Sequence, residues 1–264
     1  MTEINVDKQF HPLLQPVARR TIEQLTDLNR KVYARPGVSA IDERGEFTQH
    51  WTSHLRELCE LVHGDARGEV RSILEIGAFE GRSTVFLATF FPNAHIDTID
   101  TFAGSDEHVA MQRAEPLETM FDRNTAAFAG RITKHRGYSY DHLPRLHAAG
   151  RRFDVAFIDG SHFADDIYVD TFYCWAMLKP GGVLIWDDYL WGEYANRLAN
   201  PPAAIERFLE VHAGDYEPLF AEWLVAIRKN ETEKARAFWQ PRQSRRSRMI
   251  RFVLEKLGLG SWQH

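Results

Sequence analysis

The chain has 264 residues, 44% of them hydrophobic and 26% charged, with a formal net charge of −5. That balance describes one globular domain with extensions, long enough for a full core. It excludes a disordered chain and argues against a protein that coats nucleic acid. No run approaches the roughly 18 apolar residues of a membrane span, and the opening residues Met1 to Asp7 carry no apolar signal segment, so a cytoplasmic location is expected. Cys59 and Cys174 fall in amphipathic helical patterns, which predicts two buried thiols rather than a disulfide or a metal pair.

Residues 17–32 place Ile22, Leu25, Leu28 and Val32 at helical spacing before Ala34-Arg35-Pro36-Gly37 breaks the pattern. A second helix is predicted over residues 48–63, with Trp51, Leu55, Leu58 and Val62 on one face and Gly64 as its stop. His50 and His54 lie one turn apart there. Without a His-Glu-x-x-His pattern or a third ligand nearby, they read as surface or interface histidines and not as a zinc pair. An apolar strand over residues 70–76 then breaks into a glycine turn, and residues 83–90 carry the next helix. Gly77 and Gly81 let the backbone approach a ligand closely, and the helix amino terminus behind them favours a carboxylate or phosphate. Their spacing, Glu75-x-Gly77-x-x-x-Gly81, is not the Gly-x-Gly-x-x-Gly of a dinucleotide site.

The next strand, residues 95–100, ends in an acid about 20 residues after the glycines, where ribose hydroxyls are read. Asp100 is therefore the candidate ribose ligand, while Asp97 is expected to face a polar edge or a helix cap. Residues 101–118, with His108, read as a loop or lid. Beyond them come a helix over 121–128, a strand over 131–136, a turn at Gly137-Tyr138-Ser139 and a helix over 140–148. A strand over 153–159, a helix over 163–178, a turn at Lys179-Pro180-Gly181-Gly182 and a strand over 183–186 follow. A helix over 205–211 and an antiparallel hairpin over 217–226 close the pattern. The alternation implies an α/β fold with a doubly wound, mostly parallel sheet. The organisation is read as an N-terminal helical extension (1–66), a central domain (67–230) and a basic, partly helical tail (231–264).

Asp159 ends the fourth strand and Asp187-Asp188 ends the fifth. Neighbouring strands lie about 4.8 Å apart, so three carboxylates can converge at one sheet edge, where they repel unless a cation joins them. Hard oxygen ligands favour Mg²⁺, or Mn²⁺ and Ca²⁺, over zinc. The competing reading is that Asp187 and Asp188 polarise a loop while Asp159 caps a helix. His162, three residues beyond Asp159, is the candidate general base, with an ordinary pKa of about 6.5; the competing reading is a helix cap or an acid partner. Tyr189, Trp191, Glu193 and Tyr194 offer aromatic faces beside a carboxylate, suited to a sugar ring or to packing. Tyr33, Arg35 and His108 are further acceptor candidates.

Glu75-x-Gly77-x-x-x-Gly81 resembles the first motif of class I methyltransferases that use S-adenosylmethionine (SAM). Further ordered blocks extend the resemblance over residues 67–230: Ile99-Asp100-Thr101-Phe102, Phe121-Asp122-Arg123-Asn124, Gly137-Tyr138-Ser139, the segment from Phe153 to His162, and Leu178-Lys179-Pro180-Gly181-Gly182 through Asp187-Asp188-Tyr189. Together they look like the small-molecule and sugar O-methyltransferase family that includes macrolide-sugar enzymes of the mycinamicin type. The resemblance implies a Rossmann-like seven-stranded sheet whose last strand runs antiparallel. It places Glu75, Gly77 and Gly81 around the methionine part of SAM, Asp100 on the ribose, Tyr138 and Ser139 beside the adenine, and Asp159 near the cofactor as well as the metal. Ser83 would reach the SAM carboxylate or serve only as a helix-turn hydroxyl. The acid pattern is similar to that of metal-dependent O-methyltransferases, catechol O-methyltransferase among them, and the mycinamicin-type enzymes place a proposed base at the position of His162.

The expectation is a SAM-dependent, Mg²⁺-assisted O-methyltransferase acting on a small-molecule acceptor such as a sugar, glycosylated natural product or other diol. Alternatives are a metal-free enzyme acting on an amine or simple alcohol, a catalytically silent SAM-fold binding protein, and a nicotinamide oxidoreductase. Asn200-Pro201-Pro202 resembles an element of amino-group methyltransferases, but reads better as a helix start with Asn200 as cap. The basic stretch 242–251 and the apolar stripe Ile250, Val253, Leu254 and Leu257 predict packing on the domain or on a second subunit, with an anionic membrane or RNA as the alternative.

Overall fold

The computed structural model describes residues 5–41, 47–48, 54–104 and 116–230. His50, Trp51, His108 and the whole basic tail lie outside the described residues, as does most of the predicted lid.

Seven strands form one sheet in the order β3-β2-β1-β4-β5-β7-β6. They are β1 (Ser72–Ile76), β2 (His95–Asp100), β3 (Ile132–Arg136), β4 (Phe153–Ile158), β5 (Leu178–Trp186), β6 (Tyr216–Ala221) and β7 (Val225–Lys229). The first five pair in parallel, and β7 enters between β5 and β6, antiparallel to both. Apolar runs buried on both faces account for the central strands, as parallel sheets require. Alternate residues serve opposite faces. Leu74, Ala156, Ile158, Leu184 and Trp186 meet α6 (Ser139–Ala148), α7 (Ala164–Met177) and α8 (Pro201–Val211), whereas Ile73, Val155, Phe157, Val183 and Ile185 meet α3 (Leu55–Val62) and α4 (Arg82–Phe90).

The leading helices are α1 (Val6–Gln9) and α2 (Gln15–Tyr33). Phe10, Leu14, Val17 and Ala18 join the first of these cores, and Val32 at the far end of α2 joins the second. The helix therefore crosses the sheet edge beside β6. Ile22, predicted for the apolar stripe, is instead 36% exposed, and buried Thr21 takes the inward position. The predicted second helix is shorter among the described residues and begins at Leu55. Helix α5 (Leu117–Thr125) starts before the predicted residue 121, so the end of the expected lid is helical.

The predicted turn at 179–182 is absorbed into β5. Register steps from Phe153↔Leu178 to Val155↔Val183, so the Lys-Pro-Gly-Gly segment bulges out of the ladder rather than preceding it. Cys59 and Cys174 are free and buried, as expected. No described helix is long and apolar enough to cross a membrane.

Candidate active site

Parallel strands deliver their carboxyl ends to one edge, and β1, β2, β4 and β5 bring Glu75, Asp100, Asp159 and Asp187-Asp188 there. Glu75 is fully buried beneath α4. Its Oε2 accepts from the Thr84 hydroxyl at 2.6 Å and from the Thr98 hydroxyl at 2.8 Å, while Oε1 is buried without a hydrogen-bond partner among the described residues. Burial pushes the Glu75 pKa up to about 7, against the opposing effect of the neighbouring Thr84, Ser83 and Thr98 hydroxyls. A buried acceptor left over beside a glycine turn is what a donor-bearing ligand would complete.

That pKa carries a stability prediction. The folded chain holds a proton on Glu75 that the unfolded chain releases near the ordinary 4.5. Stability contributed by this group is therefore complete below about pH 4.5 and is lost by about pH 7, up to about 3 kcal/mol. Glu75→Gln is expected to flatten the melting temperature across that window, to raise it at higher pH and to weaken S-adenosylhomocysteine (SAH) binding. Parallel melting curves for the two proteins would show that burial of this carboxyl is not the cause.

The two glycines prove to be demanded by the protein itself. Gly77 has φ +87°, and a Cβ there would lie 1.9 Å from the Asp159 carbonyl oxygen; Gly81 has φ +86°, and its Cβ would meet Thr125 at 2.9 Å. Asp100 is likewise partly engaged. Its Oδ2 accepts from the amides of Ala78 at 2.7 Å and Phe79 at 2.8 Å, and its Oδ1 from the amide of Phe102 at 2.6 Å. The carboxylate thus fastens the glycine turn, with lone-pair capacity on Oδ1 left for a ribose hydroxyl. Asp97 is no rival: it is buried and paired with Arg151, and with His135 at 2.9 Å.

Ser139 opens α6 near Asp170 on α7, a carboxyl that burial pushes up to about 7 against the influence of the Ser139 hydroxyl. Tyr138 is 56% exposed and stacks on Tyr140 with ring centres 5.0 Å apart, presenting an open aromatic face at the β3 end.

Asp159 is enclosed by like charges. Burial, then Asp187, Asp188, Glu75 and Asp100, raise its pKa well above the usual carboxylate range. Asp187 Oδ1 accepts from the Asp188 amide at 2.8 Å. Asp188 adopts φ +60°, uncommon for a non-glycine residue. Its Oδ2 lies 2.9 Å from His162 Nε2, and its Oδ1 accepts from the Trp223 indole N–H at 3.0 Å. Asp188 thus partners histidine, while Asp159 and Asp187 stand beside it at the same edge.

Trp191 packs on His162 with ring centres 4.6 Å apart, Tyr194 meets Trp191 at 4.7 Å, and Phe163 stacks on Tyr194 at 4.5 Å. Asn200 precedes α8 as predicted, but its side chain does not cap the helix. Its Oδ1 accepts from the Tyr194 amide at 3.0 Å and its Nδ2 donates to the Tyr194 carbonyl at 3.1 Å, clasping the aromatic loop.

The other acceptor candidates lie apart from this aromatic cluster in different settings. Tyr189 is 1% exposed, with its hydroxyl donating to Glu206 and accepting from the His11 amide. Arg35 is paired with Glu60 and Asp65, and the Tyr33 hydroxyl accepts from Arg56. Glu193 is exposed. Two contributors escaped the sequence reading. Trp223 lies in the β6–β7 turn with no periodic signal, and Leu55 and Arg56 of α3 line a small cleft with Arg82, Ser83, Asp159 and Asp187. His54, just ahead of α3, sits 3.7 Å from both Glu57 and Glu222, which raise its pKa, so it ties α3 to the β6–β7 turn.

Residues 74–189 match the family model of a methyltransferase domain. The chain has the Rossmann-like fold of class I methyltransferases. Its seven-stranded order, with β7 antiparallel between β5 and β6, is the sheet of that fold. Among solved structures with the same fold, the O-methyltransferase TomG from Streptomyces achromogenes, involved in tomaymycin synthesis and solved with SAM, is 19% identical. The alignment covers 84% of this chain and all of TomG, with a TM-score of 0.53. An O-methyltransferase from Bacillus cereus in complex with SAH is 18% identical over 82% of this chain and all of its own, at a TM-score of 0.51. MycE from the mycinamycin biosynthetic pathway, solved with Mg and SAH, is 16% identical over 82% of this chain but only 60% of its own, at 0.54. No curated protein sequence matches the chain. Within the matched region the glycine turn, Glu75 and Asp100 stand at the ends of β1 and β2, and the His162–Asp188 pair stands at the ends of β4 and β5.

Proposed function

We propose that the chain is an O-methyltransferase that moves a methyl group from SAM to a hydroxyl of a small molecule, with a sugar, glycoside or other diol as the acceptor class. The observation that carries this reading is the His162–Asp188 pair at 2.9 Å, roofed by Trp191 at the same edge as the glycine turn. Aromatic rings over a polar catalytic group suit the apolar face of a sugar ring. TomG, the Bacillus cereus protein and MycE, described as O-methyltransferases or as a methyltransferase on a natural-product pathway, support the same direction.

In this mechanism Glu75, the turn from Gly77 to Gly81, Ser83, Asp100, Tyr138 and Ser139 hold the cofactor, which supplies an activated methyl group. His162 donates Nε2–H to Asp188, so Nδ1 is the basic nitrogen that takes the acceptor hydroxyl proton. Asp188 stabilises the imidazolium that results, and Trp223 holds Asp188 in place. Methyl transfer to oxygen yields the ether, SAH and one proton on histidine. Alignment supplies much of the rate, since the donor is already activated.

The crowding of carboxylates at Asp159 fits a divalent cation held by Asp159 and Asp187, because Mg²⁺ commonly takes one or two protein carboxylates and keeps waters. Such an ion would stabilise negative charge developing on the acceptor oxygen. Titrating Mg²⁺ calorimetrically into the SAH-saturated protein is expected to give one-site binding that disappears in Asp187→Asn. Absence of binding in the wild type would remove the cation and leave His162 and Asp188 to act alone on amines or simple alcohols. Failure of SAH to raise the melting temperature, with NAD raising it instead, would sink the whole reading.

A further inference from the structure

A second charged site lies at the opposite edge of the sheet. The amino ends of the neighbouring strands β2, β1 and β4 bring His95, Arg71 and Arg151-Arg152 together, and these residues, with Ser72 and Gly150, line a cavity of about 410 Å³. From Arg71 to Gly77 the chain runs along β1, which puts the cavity about 20 Å from the catalytic edge at roughly 3.3 Å per residue.

Charge at this edge is unbalanced. Asp154 is consumed by its own neighbours: Oδ2 accepts from the amides of Arg71 and Ser72 and from the Ser72 hydroxyl, each at 2.9 Å, and Oδ1 from Lys179 at 2.8 Å. Asp97 is shared between Arg151 and His135. Four cations, Arg71, Arg151, Arg152 and Lys179, thus face two carboxylates, an excess of two positive charges on a chain whose net charge is −5. The Arg71 guanidinium has no ion pair or hydrogen bond among the described residues. That of Arg152 bonds only the Arg151 carbonyl at 2.8 Å, and its charge adds to burial in pushing the Lys229 pKa down. His95 is held ready by a 2.8 Å hydrogen bond to Thr133.

We propose that this cavity binds a small phosphate monoester, with Arg71 and Arg152 gripping the phosphate and Arg151 and His95 at its rim. Guanidinium forks match tetrahedral oxyanions in geometry as well as charge, and two forks without a carboxylate partner flanking one concavity give bidentate recognition that a dispersed basic surface does not. The volume accommodates more than the phosphate itself, which points to an ester. The proposal is independent of the acceptor chemistry at the other edge.

Calorimetric titration of inorganic phosphate, then of glycerol 3-phosphate, into the SAH-loaded full chain is the test. Saturable one-site binding is expected, with the ester tighter than phosphate. Arg71→Gln combined with Arg152→Gln should weaken it about tenfold or more and leave SAH affinity unchanged. No saturable binding, equal affinity in the double variant, or equal displacement by chloride at matched ionic strength would overturn the site. Retention of an RNA oligonucleotide without binding of either phosphate probe would reassign the edge to nucleic acid and equally overturn the proposal. Loss of SAH binding in the wild type would count against the methyltransferase reading and not against this one.

Discussion

His162→Ala is expected to lower methyl transfer to a hydroxyl acceptor about 10²- to 10⁴-fold, the usual worth of a positioned general base. SAH affinity should stay within about twofold of the wild type, because His162 stands with Asp188, Trp191 and Trp223 and not in the glycine cradle. Asp188→Asn should cost part of the same loss, since its amide can still meet the ring but no longer balances a protonated imidazole. The two losses should fail to add in the double variant, as for any residues acting through one another. The check is SAH release from the purified protein with a panel of sugar and catechol acceptors. Undiminished turnover in His162→Ala would take the base out of the mechanism and leave positioning, or a cation at Asp159 and Asp187, as the source of rate.

The second large effect concerns the backbone. Gly77→Ala would require a side chain at φ +87°, which costs roughly 1–2 kcal/mol, and would push a Cβ to 1.9 Å from the Asp159 carbonyl oxygen. That carbonyl belongs to backbone at the end of β4, which cannot rotate away as a long side chain can, so the β1 and β4 ends must separate. A total cost of about 3–5 kcal/mol is expected, seen as a fall in melting temperature of roughly 10 °C. Asp100 would lose its grip on the Ala78 and Phe79 amides in the same movement, so SAH binding should weaken by more than the stability loss alone implies. Calorimetric melting with and without SAH separates the two. A variant as stable as the wild type would mean that the turn relaxes in a way the close approach to Asp159 does not allow.

Much of the sheet was legible because each central strand is a short apolar run ended by a glycine or an acid. The edge acids Asp100, Asp159 and Asp187 were legible for the same reason, since a residue that ends a parallel strand must lie at one edge. What could not be read was direction at that edge. Asp187 and Asp188 are adjacent, yet it is Asp188, at positive φ, that meets His162; an acid partner for the histidine was among the readings, but no local pattern says which acid. Trp223 was invisible because its partner lies 35 residues earlier and a single tryptophan in a hairpin carries no period. Tyr189 misled in the opposite sense: it follows the acids directly, but its hydroxyl reaches inward to Glu206 and the His11 amide. The dual part played by Asp100, fastening the turn it was expected to serve, was equally beyond spacing arguments.

The position of β7 between β5 and β6 sets an order of assembly. As the chain is synthesised, β6 emerges before β7, its one partner among the described strands, and the β5 edge waits for Val225–Lys229 to follow. The turn that carries Trp223 to Asp188 can form only in that last step. A nascent or truncated chain stopping a few residues short would therefore hold a nearly complete cradle, an exposed strand edge prone to mispairing, and a histidine whose partner acid is not yet anchored.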